Sequence, residues 1–250
     1  MKKTLHFLSG IPRSGSTVLA AILNQNPMTH VSTTSGLVHA LDGLANTWHS
    51  GALLNDTDPE RKLLARTMRG AIDAFYEDTE APVVIDKSRG WPIAQIMAAM
   101  GQVLNRTPKI IATVRSVPDC AASFIRIAKP EDLDEFMATG QLMDHLRAAY
   151  ISLQNGYEFA PENFLFVEYE DLLSDPKGQL ERIHAFLELP AFTYDFNNID
   201  GSTVAEDDEN LHGTKGMHDV KPVLAAQHKQ DPKDLLKHHY SQFCQPEFWL

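Results

Sequence analysis

Four short, almost wholly apolar runs punctuate the chain: TLHFLS (4–9), PVVID (82–86), KIIATV (109–114) and NFLFVEY (163–169). Short continuous apolar runs of this kind suit strands buried on both faces of a parallel sheet. Between them the apolar period becomes helical. From Ser14 to Gln25, Val18, Leu19, Ile22 and Leu23 fall three and four apart, and Asn26-Pro27 stops the run. Residues 60–79 make a longer amphipathic segment, and in 176–190 Leu180, Ile183 and Leu187 share one face. Ser116 opens a further helix, with Pro118 early and Asp119 three residues after the cap. Strands alternating with helices predict a three-layer α/β/α fold around a central parallel sheet. A length of 250 residues suits one domain over 1–250.

The stretch 198–216, NIDGSTVAEDDENLHGTKG, is polar, acidic and glycine-bearing, and is expected to be a mobile loop ordered by a ligand. The formal net charge of −11 gives no general attraction to nucleic acid or to an anionic membrane, so any polyanionic ligand needs cations gathered locally. The two cysteines, Cys120 and Cys244, are too few for a disulfide framework, which makes a reducing cytoplasm the expected compartment. No apolar run approaches the length of a membrane span. The sequence favours neither a monomer nor an oligomer.

The first apolar run leads directly into GIPRSGST (10–17). A strand that turns through glycines into a helix exposes unpaired N–H groups at the positive end of the helix dipole, which is an anion site. Ser14, Gly15, Ser16 and Thr17 are small enough to let a phosphate approach, and three of them carry hydroxyls. Arg13 adds a charge-assisted fork. The spacing of Gly10 and Gly15 is that of a triphosphate-binding loop, but Ser16 stands where that loop needs lysine. Two later strand ends supply cations. VVIDK (83–87) ends in Lys87, which at the carboxyl end of a parallel strand faces the ligand crevice. Asp86 beside it has the look of a magnesium-binding carboxylate. Arg115 ends the run 109–114, and Ser123 follows eight residues later, two turns into the next helix.

Together these stretches resemble the sulfotransferases that use 3′-phosphoadenosine 5′-phosphosulfate (PAPS), from Leu5 to about Val223. GIPRSGST is similar to that family's 5′-phosphosulfate loop, and IIATVRSVPDCAASF to its 3′-phosphate motif, an arginine and a serine eight apart, here Arg115 and Ser123. FLFVEYEDLLSDP (164–176) resembles the segment whose tyrosine approaches adenine, here Tyr169. The PRSG signature is closest to bacterial sulfotransferases and the tyrosylprotein branch. The resemblance implies a P-loop-like fold and metal-independent, in-line transfer of a sulfuryl group to a hydroxyl or amine. The product is adenosine 3′,5′-bisphosphate (PAP), and the acceptor a small molecule, a saccharide or a peptide. It also implies that GTKGMHDVKP (213–222) covers the nucleotide, with Lys215 and Lys221 as binding candidates.

The residue that deprotonates the acceptor is not evident. The phenol and steroid branch has a histidine shortly after the strand lysine, where Arg89 stands here. The tyrosylprotein branch has a glutamate after the loop helix, where this chain reads THVSTTSGLVHALD. His39 is the catalytic candidate in that stretch, with Asp42, His30 and Asp86 as others. Residues 30–60 and 130–155 are expected to shape the acceptor pocket, with Trp48 and Trp91 in its wall. The residues alone leave two other readings open. The glycine spacing and Asp86 suit a small-metabolite kinase using ATP and magnesium, and the missing base suits a non-catalytic nucleotide-binding protein.

Overall fold

A computed structural model describes residues 3–50, 57–206, 208, 215–225 and 230–250. Five parallel strands form one sheet in the order β2-β3-β1-β4-β5: β1 Thr4–Gly10, β2 Thr29–Thr34, β3 Val83–Lys87, β4 Ile110–Val114 and β5 Phe164–Glu168. Four of them are the apolar runs. The fifth, β2, reads THVSTT, and its Thr and Val residues favour strand geometry without forming an apolar block. It lies at the sheet's edge, where burial on both faces is not required.

Helices cover both faces of the sheet. On one face α1 Ser16–Leu23, α8 Tyr169–Ser174 and α9 Pro176–Leu187 bury Leu19, Leu172 and Ile183 against Leu8, Ile85 and Ile111. On the other, α2 Leu37–Ser50, α3 Asp58–Phe75 and α4 Ala94–Leu104 pack Leu41, Met68 and Met100 against Leu5, Phe7 and Val84. A third cluster joins Ala112 and Val114 to α5 Val117–Ala128, α7 Gln141–Phe159 and α10 Pro232–Leu236. The short α6 Leu133–Ala138 precedes α7, so the 130–155 region is two helices meeting at Gly140, whose φ is 70°.

Within the stretch expected to be a mobile loop, Ile199, Val204 and Asp208 are buried and the other described residues are partly or fully exposed. Gly201–Val204 forms a 3-10 turn with Val204 fully buried against the first cluster. Ile199 N–H donates to the Pro222 carbonyl at 2.8 Å, which ties this turn to the following segment. Residues 207 and 209–214 lie outside the described residues.

Candidate active site

β1 ends at Gly10, which pairs with Thr113 on β4. A Cβ on Gly10 would lie 2.3 Å from the Thr113 carbonyl oxygen, so only glycine lets these strand ends close up. Arg13, at φ 69°, and Gly15, at φ 94°, then turn the chain through left-handed backbone into α1. The first N–H groups of α1 have no carbonyl behind them and open onto the loop. Ser14 is placed differently from its neighbours. Its buried hydroxyl meets the Ile11 and Thr113 carbonyls at 2.6 and 2.8 Å and Thr113 Oγ1 at 2.7 Å, so it staples loop to sheet.

Lys87 comes to this loop from β3. Its Nζ lies 3.3 Å from Thr17 Oγ1 and 3.2 Å from Glu206 Oε1. The strand alternation that aims Lys87 at the loop sends Asp86 through the opposite face. There Asp86 accepts from the Tyr76 hydroxyl and, at 2.8 Å, from Trp91 Nε1. Burial raises the Asp86 pKa above the ordinary carboxylate range. Asp86 is therefore a core residue directed away from the phosphate loop, which removes the carboxylate that favoured a kinase. Trp91, only 1% exposed, is core as well.

Arg115 ends β4 with its side chain buried. Its guanidinium carbon stands 4.7 Å from the centre of the Tyr169 ring, and its nitrogens donate to Glu170 at 3.0 Å and Asp119 at 3.1 Å. The Tyr169 ring reaches across to Gly15, where a Cβ would meet it at 2.6 Å. Gly15, Tyr169 and Arg115 thus form a stack along one wall. Ser123 on α5 accepts from Arg13 Nε at 3.3 Å, which brings the loop and the Arg115–Ser123 motif together. Arg13 Nη1 donates to the Met217 carbonyl, so the segment 215–222 does reach the loop, while the Lys215 and Lys221 side chains are exposed.

Glu206 and Asp208, which the sequence reading did not single out, bring acidic groups to the site. Glu206, its side chain only 4% exposed, accepts from Thr34 N–H and Thr34 Oγ1, each at 2.8 Å, as well as from Lys87. Burial alone would raise its pKa; the Lys87 charge and the Thr34 donors outweigh burial and hold it at about 2. His218 Nδ1 lies 2.5 Å from Asp208 Oδ1 and 3.8 Å from Glu206 Oε2. Burial pulls the pKa of His218 below its ordinary value, against the pull of Asp208. Burial is also the largest influence on Arg13 and Lys87, and lowers both. A desolvated cluster of cations is relieved by an anion.

No described contact joins the candidate bases of the sequence reading to Lys87. His39 is exposed on α2, and the described partners of Lys87 are Thr17 and Glu206. Asp42 accepts from Asn46 at 3.0 Å, and His30 packs edge-on against Tyr76.

A model of the sulfotransferase family matches residues 7–194, a span holding the loop, Lys87, Arg115, Ser123 and Tyr169. The chain belongs to the sulfotransferase family. Glu206, Asp208 and His218 fall beyond the matched part. Protein-tyrosine sulfotransferase A of Caenorhabditis elegans is 24% identical over 194 residues, which are 74% of this chain and 50% of the relative. The chain thus spans about half the length of that curated sulfotransferase. Among solved structures, the sulfotransferase domain of the Synechococcus PCC 7002 olefin synthase is 21% identical, covers 93% of this chain and 92% of its own, and superimposes with a TM-score of 0.52. The sulfotransferase of Alicyclobacillus acidocaldarius, 16% identical over 83% of this chain and 88% of its own, gives 0.53. A mouse sulfotransferase complexed with PAP, 14% identical over 97% and 82%, gives 0.50. At these identities the sulfotransferase structures establish the shared fold.

Proposed function

We propose that this protein transfers the sulfuryl group of PAPS to a hydroxyl or amine acceptor. One observation carries the proposal: Lys87 reaches the loop from a neighbouring strand and stands 3.3 Å from Thr17 Oγ1, while Ser16 holds the loop position a triphosphatase gives to lysine. A cation there can neutralise the oxygen that leaves from sulfur. The family relationship supports PAPS as the donor, and the wall of Gly15, Tyr169 and Arg115 fits a nucleotide with a second phosphate.

In this reading the loop N–H groups and Arg13 hold the 5′-phosphate, Ser16 and Thr17 add hydroxyl donors, and Arg115 with Ser123 reads the 3′-phosphate. Tyr169 supports the adenine. Lys215 and Lys221 belong to the segment that closes over the nucleotide. The acceptor oxygen attacks sulfur in line, the bond from sulfur to the phosphate oxygen breaks, and Lys87 stabilises the charge left on that oxygen. Glu206, 3.2 Å from Lys87, takes the acceptor's proton in place of His39. Its low basicity in the resting site reflects its pairing with Lys87 and Thr34. An anionic donor competing for Lys87 loosens that hold and makes the carboxylate a better base. The two free cysteines agree with a cytoplasmic location.

Radiolabelled PAPS offered with a tyrosine peptide, a saccharide, a small phenol and an amine tests the proposal. Label should move to at least one acceptor with EDTA present. Lys87→Ala should slow transfer by about a hundredfold to a thousandfold. Glu206→Gln should slow it while PAP binding stays intact. Transfer at the wild-type rate by Lys87→Ala would remove Lys87 from the chemistry.

A further inference from the structure

A second constellation lies at the C-terminal end of the fold. Asp132 caps α6: its Oδ1 accepts from the N–H groups of Asp134 and Glu135 at 2.8 and 3.0 Å, which fixes Asp134 in the first turn. More than a hundred residues later, Leu236 closes α10 fully buried, and Lys237 turns the chain at φ 51°, ψ −128°. The 3-10 segment Lys237–Phe243 follows and ends on Phe243, only 1% exposed. Between the two apolar anchors, His238 and His239 are held against α6. The Nε2 atom of His239 lies 2.8 Å from Asp134 Oδ1, and that of His238 lies 3.2 Å from the same oxygen. The two rings are 4.0 Å apart.

Two imidazole nitrogens converge on one carboxylate oxygen, and if both rings carried a proton on each nitrogen their positive charges would repel at this separation. A shared cation satisfies both nitrogens and the carboxylate at once. The three ligand atoms lie within 4.8 Å of one another. Tetrahedral bonds of about 2.0–2.1 Å place ligand atoms roughly 3.3 Å apart, a spacing that small side-chain rotations supply here. His239 also has an outer partner, because its Nδ1 lies 3.2 Å from Gln242 Nε2. With that side-chain amide turned over, the Gln242 carbonyl oxygen accepts the Nδ1 proton and leaves the Nε2 lone pair to the metal.

We propose that Asp134, His238 and His239 bind a divalent transition metal ion. Two imidazoles and a carboxylate suit zinc, with water completing the tetrahedron. The site is separate from the phosphate loop and takes no part in sulfuryl transfer. Its effect is structural: the ion staples the 3-10 segment to α6 and so holds Leu236 and Phe243 against α5 and α7.

The test is a titration of untagged, EDTA-treated, dialysed protein with zinc chloride, followed by calorimetry and by thermal melting. One equivalent should bind and raise the melting temperature. Asp134→Asn and His239→Ala should each weaken zinc binding more than tenfold, and Asp134→Asn should leave the melting shift induced by PAP unchanged. Asp134 is exposed, so its variant reports on the site even if His239→Ala fails to fold. Equal zinc affinity in wild type and Asp134→Asn, or no zinc-dependent heat and no melting shift, would overturn the proposal.

Discussion

Arg115 is held in the ligand-free fold by three acceptors of different kinds. It lies on the Tyr169 ring, and it donates to Asp119 and Glu170. Glu170 is 56% exposed at the side chain, so it can give way to a phosphate oxygen at little cost. Arg115→Ala should therefore weaken PAP binding by about 1.5–3 kcal/mol, the range of a charged hydrogen bond, and leave 5′-AMP binding nearly unchanged. Competition titrations with the two nucleotides measure the ratio, and an unaltered ratio would mean that Arg115 does not read the 3′-phosphate. At this scale the sequence was readable where partners are local. Arg13, Lys87, Arg115, Ser123 and Tyr169 each sit at a strand end or helix turn, and a short motif is enough to mark them. Glu206 carries no such mark. Its partners Thr34 and Lys87 are 172 and 119 residues away in the chain, and only the folded sheet brings them together. Asp86, at the end of an apolar strand run, has the look of a metal carboxylate in the sequence, but strand alternation sends it to the opposite face, against Tyr76 and Trp91.

Elements were legible in proportion to how much apolar surface they bury. β1, β3, β4 and the edge strand β5 announce themselves as apolar runs, whereas β2, at the other edge, does not. The helix after the loop begins two residues later than its apolar period suggests, because Ser14 and Gly15 belong to the turn. The strand β1 carries one residue at odds with its apolar setting. His6 is 2% exposed, and its ring nitrogens have no hydrogen-bond partner among the described residues. Burial, with Arg106 and Lys109 nearby, pushes its pKa from 6.5 down to about 3. In the unfolded chain His6 takes up a proton near pH 6.5, and in the folded chain only near pH 3. The stability this group contributes is full above pH 6.5 and is lost progressively as the pH falls towards 3. His6→Leu should flatten the acid side of the stability curve by an amount on the order of a few kcal/mol. Urea denaturation at stepped pH reads this out, and identical slopes in the two proteins would show that His6 does not govern the acid limb.

For the whole molecule, the central claim is that an acidic chain builds a local cationic crevice for a nucleotide with two separated phosphates. In the proposed function Arg13 and Lys87 serve one subsite and Arg115 the other, and Ser123, bonded to Arg13, joins them. The fold delivers these groups from β1, β3, β4 and α5 to one end of the sheet. Alternating strands and helices made that architecture readable, and the family match extends over the same elements. Beyond residue 194 only the resemblance pointed to the segment 213–222, and Glu206, beside Lys87, was not readable, because the polar composition there gives no period. The most direct measurement is a pair of thermal melts, one with PAP and EDTA and one with ATP and magnesium. PAP at 100 times its dissociation constant should add about 2.7 kcal/mol of stability, unaffected by EDTA, and ATP with magnesium should add far less. Stabilisation by ATP with magnesium alone would contradict the account.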